Sequence, residues 1–140
     1  MKIFIPIIAV LIAFSSCKGI KPLANTTQQS LPNGTFYVST LGGENVLAKK
    51  IHFTINTTQN RISGNAGCND FSAGLIENEG AFELKTFVAT EMYCDEAVME
   101  LERGLMSALS SAETFDFENS VLSLYSKEDK KTVLIALLNN

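Results

Sequence analysis

The sequence predicts a mainly β protein: a compact antiparallel sheet of about seven to eight strands that closes toward a barrel, with one α-helix packed on it. From Gly34 onward, short segments of alternating apolar and polar residues are separated by turn residues, which is typical of antiparallel strands. One stretch after Asp95 instead repeats apolar residues every three or four positions, as an amphipathic helix does. We therefore expect one folded domain over residues 34–140.

The chain begins with the features of an export signal. Lys2 precedes an apolar run over residues 3–14, and two serines then lead to Cys17. The run is too short for a transmembrane anchor, which needs about 20 apolar residues. Small residues before a cysteine are typical of a bacterial lipoprotein precursor, whose cysteine becomes the lipid-bearing mature N-terminus. We expect residues 1–16 to be a lipoprotein signal peptide and Cys17 to carry the lipid.

The segment after the signal is polar and has no alternating apolar pattern, so we expect residues 17–33 to form a flexible tether. Removing 16 of the 140 residues leaves 124, enough for one domain. Loss of Lys2 lowers the basic residues from 11 to 10 against 15 acidic ones, a net charge of −5. This balance argues against a nucleic-acid partner and against a polybasic membrane patch. Membrane attachment would then come from acyl chains.

The residues after the lipid-bearing cysteine bear on location. Lys18 and Gly19 include no acidic side chain. By analogy with enteric lipoprotein sorting, we expect residence in the cell envelope, at the outer membrane and facing the periplasm.

The strands are expected at intervals along the chain. The alternation places them near residues 36–41, 51–55, 61–64 and 82–86 with an extended continuation over 87–94, and then near residues 115–117, 121–125 and 132–138.

The helix is expected to follow Asp95, whose side chain suits an N-cap. Its apolar stripe consists of Val98, Leu101, Leu105, Leu109 and Ala112. Gly104 costs about 1 kcal/mol relative to alanine within a helix. A close approach of the helix to the sheet would explain the glycine.

Two cysteines remain once Cys17 is assigned to lipid. Export places Cys68 and Cys94 in an oxidising compartment, where an even number favours a disulfide. The bridge would contribute about 3 to 3.5 kcal/mol in the chain-entropy model. Two reduced, buried thiols are the alternative. A zinc site is disfavoured because it needs three or four ligands and His52 is the only histidine.

Two short motifs stand out: a glycine-containing turn that ends in Gly-Cys-Asn, and Thr-x-Met-x-Cys just before the helix. Their residues are Gly64, Gly67, Cys68, Asn69, Phe71, Thr90, Met92 and Cys94. Together they resemble the META domain family of HslJ-like bacterial lipoproteins. The resemblance covers residues 31–138 and implies a barrel-like antiparallel sheet with one helix. It also implies a helix glutamate, for which we expect Glu100. Phe36 stands where the family commonly has tryptophan.

The motif residues are of structural types. Gly64 and Gly67 suit positions that need a positive φ or close packing. No lysine and hydroxyl pair follows them, so the turn does not match a phosphate-binding loop. Asn69 suits a cap of its own turn. The alternation along residues 90–93 predicts that one pair of alternate side chains faces inward.

We expect no catalysis and no cofactor. His52 lies mid-strand, and nothing in the sequence brings a serine to it. The available carboxylate spacings are Asp116 with Glu118, which is typical of a solvated strand face, and Glu91 with Asp95.

These observations favour a lipid-anchored envelope protein with a noncatalytic interaction or stress-protection domain, which we expect to be a monomer with an envelope protein partner. One alternative is a carrier of a small apolar ligand inside the barrel, which needs a cavity of about 300 Å³ or more. Another is an inhibitor of a hydrolase or protease. Large inward candidates favour a filled barrel: Phe53, Phe82, Phe115, Phe117 and Leu124.

Overall fold

The structure is a computed structural model that describes residues 29–139. The expected signal peptide, Cys17 and the tether up to residue 28 lie outside the described residues. The strands are β1 (Gly34–Leu41), β2 (Glu44–Asn45), β3 (His52–Asn56), β4 (Arg61–Asn65), β5 (Asp70–Asn78), β6 (Ala81–Ala89), β7 (Ala112–Glu118), β8 (Val121–Ser126) and β9 (Thr132–Leu138), and the helix is α1 (Glu96–Ser111). A short 3₁₀ helix covers Leu47–Lys49.

The sheet closes into a barrel, so the predicted fold class is confirmed. From β3 to β9 each strand pairs with its neighbour in sequence, all antiparallel, and β1 pairs with both β3 and β9. The two-residue β2 only extends the edge of β1. Eight strands therefore form the closed barrel. The β6–β7 junction is its weakest seam, since it pairs only Ala81 with Thr114.

Two strands differ from the sequence prediction: β5 (Asp70–Asn78) was not predicted, and β6 is shorter than expected. We expected extended chain to continue to Cys94, but β6 ends at Ala89. The reason is that the neighbouring strand β5 begins only at Asp70, beside Thr90. Residues 90–95, here called the motif loop, therefore have no strand to pair with and lie outside the sheet.

Large apolar side chains fill the barrel interior. Phe36 stacks on Phe53 with ring centroids 5.7 Å apart and meets Phe117 edge-on at 6.1 Å. The largest fully buried side chains are Phe36, Phe53, Ile51, Leu105, Leu109, Leu122, Leu124, Leu134 and Val38. Phe82 and Phe115 are also buried, so the barrel centre is built as a core.

Helix α1 packs against the upper end of the barrel, defined here as the end where β1 stops at Leu41. Leu105 and Leu109 on the helix are completely buried. A Cβ on Gly104 would lie 3.3 Å from Leu41 Cδ2. This close contact between helix and sheet is the approach that the glycine predicted.

The lower end, where β1 begins, is closed by residues that precede Gly34. Leu31 is 4% exposed and belongs to the core. Its backbone N–H donates to Glu77 Oε1 at 2.6 Å. The side chain of Gln29 pairs with both the N–H and the C=O of Phe117. The expected tether boundary at residue 33 is therefore too late, because burial of a leucine draws this segment onto the barrel.

Among the described residues, no helix has the length and apolar character required to cross a membrane.

Candidate functional site

The two sequence motifs meet at the upper end of the barrel. The turn between β4 and β5 supplies Cys68 and Asn69, and the motif loop supplies Thr90, Met92 and Cys94. Cys68 and Cys94 are joined by a disulfide, with Cα atoms 6.0 Å apart. The motifs thus form one cluster that ties the motif loop to the barrel.

Asn69 is the centre of this cluster and is 2% exposed. Its Oδ1 accepts hydrogen bonds from Thr90 Oγ1 at 2.8 Å and from the Met92 N–H at 2.7 Å. Its Nδ2 donates to the Met92 carbonyl at 3.1 Å and to Glu102 Oε1 at 3.0 Å. Both acceptor sites and both donors of the amide are therefore used within the protein.

The expected role of Asn69 as a cap of its own turn is wrong. Asn65 performs that role, because its Oδ1 accepts the Gly67 N–H at 2.9 Å. Asn69 instead binds a segment more than 20 residues away in sequence. Its side chain is buried, where it bonds the Met92 main chain of the motif loop and the side chains of Thr90 and Glu102.

The helix glutamate of the cluster is Glu102, and our expectation of Glu100 is wrong. Glu102 accepts the Asn69 N–H at 2.9 Å as well as the Asn69 amide. It lies four residues after Val98 and three before Leu105, so it shares the inward stripe of α1. Glu100 points away from that stripe and is exposed.

The two motif glycines meet different requirements. A Cβ on Gly64 would collide with the backbone of β3, since it would lie 2.7 Å from Phe53 Cα and closer still to the His52 carbonyl. Gly67 has a φ of +111° and faces Val98 on the helix. Close packing therefore requires the first glycine and backbone conformation requires the second.

The motif loop exposes its side chains although its backbone is held. We expected one alternate pair along residues 90–93 to face inward, but all four residues are exposed. Met92 is 56% and Tyr93 84% exposed. Because Asn69 binds the loop through main-chain atoms of Met92, the side chains of Met92 and Tyr93 are left free to point outward. Thr90 differs, since its hydroxyl donates to Asn69.

The residues considered for catalysis either lie outside this cluster or form hydrogen bonds with a structural role. His52 is half-buried on β3, with Nδ1 3.3 Å from the Lys50 carbonyl and its ring 5.5 Å from that of Tyr37. Asp95 caps α1 by accepting the Val98 N–H at 3.2 Å. These contacts assemble no nucleophile and base.

The carboxylates of β7 lie on its exposed face. Asp116 accepts a hydrogen bond from the Tyr125 hydroxyl at 2.9 Å, and this bond raises the pKa of Tyr125. Glu118 is exposed, as is Glu91 in the motif loop. Within residues 29–139, no group of three or more His, Cys, Asp or Glu side chains is arranged to hold a metal ion.

An open groove of about 640 Å³ runs along α1 on the outside of the barrel. Its apolar wall includes Leu41, Val46, Leu101, Ala108 and Val133. At one end lies Asp129, whose pKa is held well below its usual range by hydrogen bonds from Lys131 and Ser126. The groove is separate from the packed barrel interior.

Comparisons with known proteins identify the fold family. The model of the META domain matches residues 29–137. An NMR structure of a protein from Burkholderia xenovorans superimposes with a TM-score of 0.63 at 18% identity, covering 79% of this chain and 84% of that one. A crystal structure of a DUF4847 family protein from Bacteroides vulgatus ATCC 8482 gives 0.60 at 16% identity, covering 76% and 93%. These two likenesses concern the fold alone. No curated protein sequence matches the chain.

Proposed function

The chain belongs to the META domain family, and on this basis we propose that it is a lipid-anchored envelope protein whose domain is a noncatalytic interaction or stress-protection module. One observation carries the proposal. The polar groups of the motif residues form hydrogen bonds inside the protein, and these bonds hold an exposed loop in place. A presented surface is what a binding module needs, whereas an active site needs polar groups that are free to meet a substrate.

The anchor rests on the N-terminal sequence, in which an apolar run leads to Ser15, Ser16 and Cys17. Detergent partitioning tests it directly. We expect wild type to partition with membranes, and Cys17→Ala to remain unprocessed or to become soluble. Ser16→Ala retains a small residue and serves as the matched control, so it should behave as wild type. Normal cleavage of the Cys17→Ala precursor with full membrane partitioning would contradict the anchor.

The noncatalytic role is tested by complementation of a deletion strain under envelope stress. We expect the double variant His52→Ala, Glu118→Gln to complement as well as wild type, since neither residue belongs to the motif cluster. Circular dichroism and the melting temperature confirm that the variant is folded. A folded double variant that fails to complement would contradict the noncatalytic role.

The groove along α1 favours a second candidate, a binding protein for a small apolar ligand. Its volume of about 640 Å³ exceeds what such a ligand needs, and its wall is largely apolar. A site inside the barrel is disfavoured because large side chains fill that space. Native mass spectrometry of protein extracted from its own membrane distinguishes the two. The module predicts no bound lipid beyond the anchor, whereas a stoichiometric second lipid would favour the carrier.

A further inference from the structure

We propose that the motif loop is a preformed, substrate-like loop that inhibits a serine protease of chymotrypsin-like specificity, with Tyr93 entering the primary specificity pocket. This inference rests on the proposed function as an interaction module, and it names the partner class and the residue that meets it.

Two adjacent side chains of the motif loop are exposed although they are large and apolar. Tyr93 is 84% and Met92 56% exposed. Leaving them in water forgoes the favourable free energy of burying them. A partner that covers Tyr93 would offer it a concave apolar pocket.

The backbone is held on both sides of Tyr93. On one side, Asn69 binds the N–H and the C=O of Met92 at 2.7 and 3.1 Å. On the other side, Cys94 is joined to Cys68. Tyr93 is thus a free position between two anchored neighbours.

The main chain of Tyr93 remains available to a partner. Within the part of the chain that the structure describes, its N–H and C=O take part in no hydrogen bond. Residues 90–95 contain no turn or bend, so the segment runs past the barrel without folding back. A serine protease pairs with the main chain of its substrate, places the carbonyl of the scissile bond in the oxyanion hole and takes the side chain of that same residue into its pocket.

Chymotrypsin-like specificity follows from the side chain. The chymotrypsin pocket is a hydrophobic slot, which suits the aromatic ring of Tyr93, whereas trypsin places an aspartate there. A loop whose backbone is held in place before binding loses less entropy when it binds, and pre-organised protease–inhibitor pairs are among the tightest complexes. If the protease cut the peptide bond after Tyr93, the new chain end at Cys94 would stay attached to Cys68 through the disulfide. The cleaved loop would therefore leave the protease slowly.

A lipid surface is a weaker match for the same side chains. Glu91, Asp95 and Glu96 lie in or next to the loop, and a bilayer with anionic headgroups would repel them. The acidic rim instead suits a protease whose cleft has a basic border.

The test uses the full mature protein in detergent micelles, with α-chymotrypsin and a chromogenic peptide as the probe. We expect stoichiometric inhibition by wild type and a loss of about 100-fold in affinity for Tyr93→Gly. The Tyr93→Lys variant should inhibit trypsin and no longer inhibit chymotrypsin. Leu47→Ala, which alters an apolar residue 43% exposed elsewhere on the surface, should inhibit as wild type does.

Three outcomes would overturn the inference. They are no inhibition by folded wild type, rapid and complete cleavage after Tyr93, or equal inhibition by Tyr93→Gly. Binding of wild type but not Tyr93→Gly to phosphatidylcholine vesicles, without inhibition, would assign the loop to a lipid surface instead. If the protein does not inhibit chymotrypsin, the protease inference fails, while the proposed envelope function is still tested by complementation and by membrane partitioning of Cys17→Ala.

Discussion

At the upper end of the barrel a disulfide and a buried asparagine hold an exposed loop, whereas at the lower end one leucine and one glutamine close the opening. The upper contacts are covalent or directional: Cys68 to Cys94, and Asn69 to Met92 and Glu102. The lower contacts rest mainly on burial of Leu31. The upper end therefore fixes the position of a loop, whereas the lower end closes the barrel, and both ends complete the same core.

An exposed loop needs contacts that closing a barrel does not. Apolar burial is non-directional and can close a barrel without specifying a backbone conformation. Hydrogen bonds to main-chain atoms of Met92 specify that conformation, and they do so without using the side chains of Met92 and Tyr93. The motif loop can therefore expose Met92 and Tyr93 while its backbone stays in place.

The largest expected effect is loss of the disulfide at the upper end. Thiol counting on unfolded, unreduced mature protein should find no free thiol. Cys94→Ala should lower the free energy of unfolding by about 2 to 5 kcal/mol, as measured in urea, because the unfolded chain is no longer constrained. The double variant Cys68→Ala, Cys94→Ala should be no worse than the single one. Two free thiols in the wild type would refute the bridge.

At the lower end, Leu31→Ala should cost about 2 to 3 kcal/mol of unfolding free energy because it removes a buried side chain. Leu47→Ala is the control, since Leu47 is exposed and should change stability by less than about 0.5 kcal/mol. Denaturant titration measures both. If Leu31→Ala matched its control, the segment before Gly34 would be a tether after all.

Two helix glutamates provide a sharper comparison. Glu102→Gln should cost about 1 to 2 kcal/mol, because an amide group cannot accept both hydrogen bonds from Asn69 and loses the charge that strengthens them. Glu100→Gln is matched in chemistry and should be neutral because Glu100 is exposed. Equal effects of the two substitutions would contradict the assignment of Glu102 to the cluster.

The smallest expected effect concerns Asp129, whose folded pKa lies well below the ordinary value of 3.8 because of hydrogen bonds from Lys131 and Ser126. A lowered folded pKa stabilises the protein above about pH 4, and this contribution is lost as the pH falls through the folded pKa. Asp129→Asn should therefore flatten the decline of the melting temperature between about pH 4 and pH 2. An unchanged slope would show that Asp129 does not contribute.

Most of the regular elements follow from local pattern. The alternation of apolar residues identified seven of the eight barrel strands, and Asp95 with the apolar stripe identified α1 and its N-cap. Strand β5 (Asp70–Asn78) was missed, because the small residues Ala73 and Gly74 at its centre weaken the apolar alternation. The end of β6 at Ala89 was missed because it depends on where the paired strand begins, which is a property of the sheet and not of the segment.

The sequence identified which residues form the site but not which of them are hydrogen-bonded to one another. The motifs named Asn69, Thr90 and Met92, yet the partner of Asn69 is set by how α1 lies on the barrel. A signal for Glu102 was present, since it shares the helix face of Val98 and Leu105. Leu31 offered no comparable signal, because a single leucine in a polar segment has no period.

Amide hydrogen exchange of Met92, observed by NMR, tests most directly whether Asn69 holds the motif loop in place. If Asn69 holds the loop backbone, this amide exchanges slowly in the wild type, near the rate of the core strands, while the amide of exposed Tyr93 exchanges fast. Asn69→Ala should remove the protection of Met92 but leave that of Phe53 on β3 in place. Fast exchange at Met92 in the wild type would contradict the claim that the motif loop is preformed.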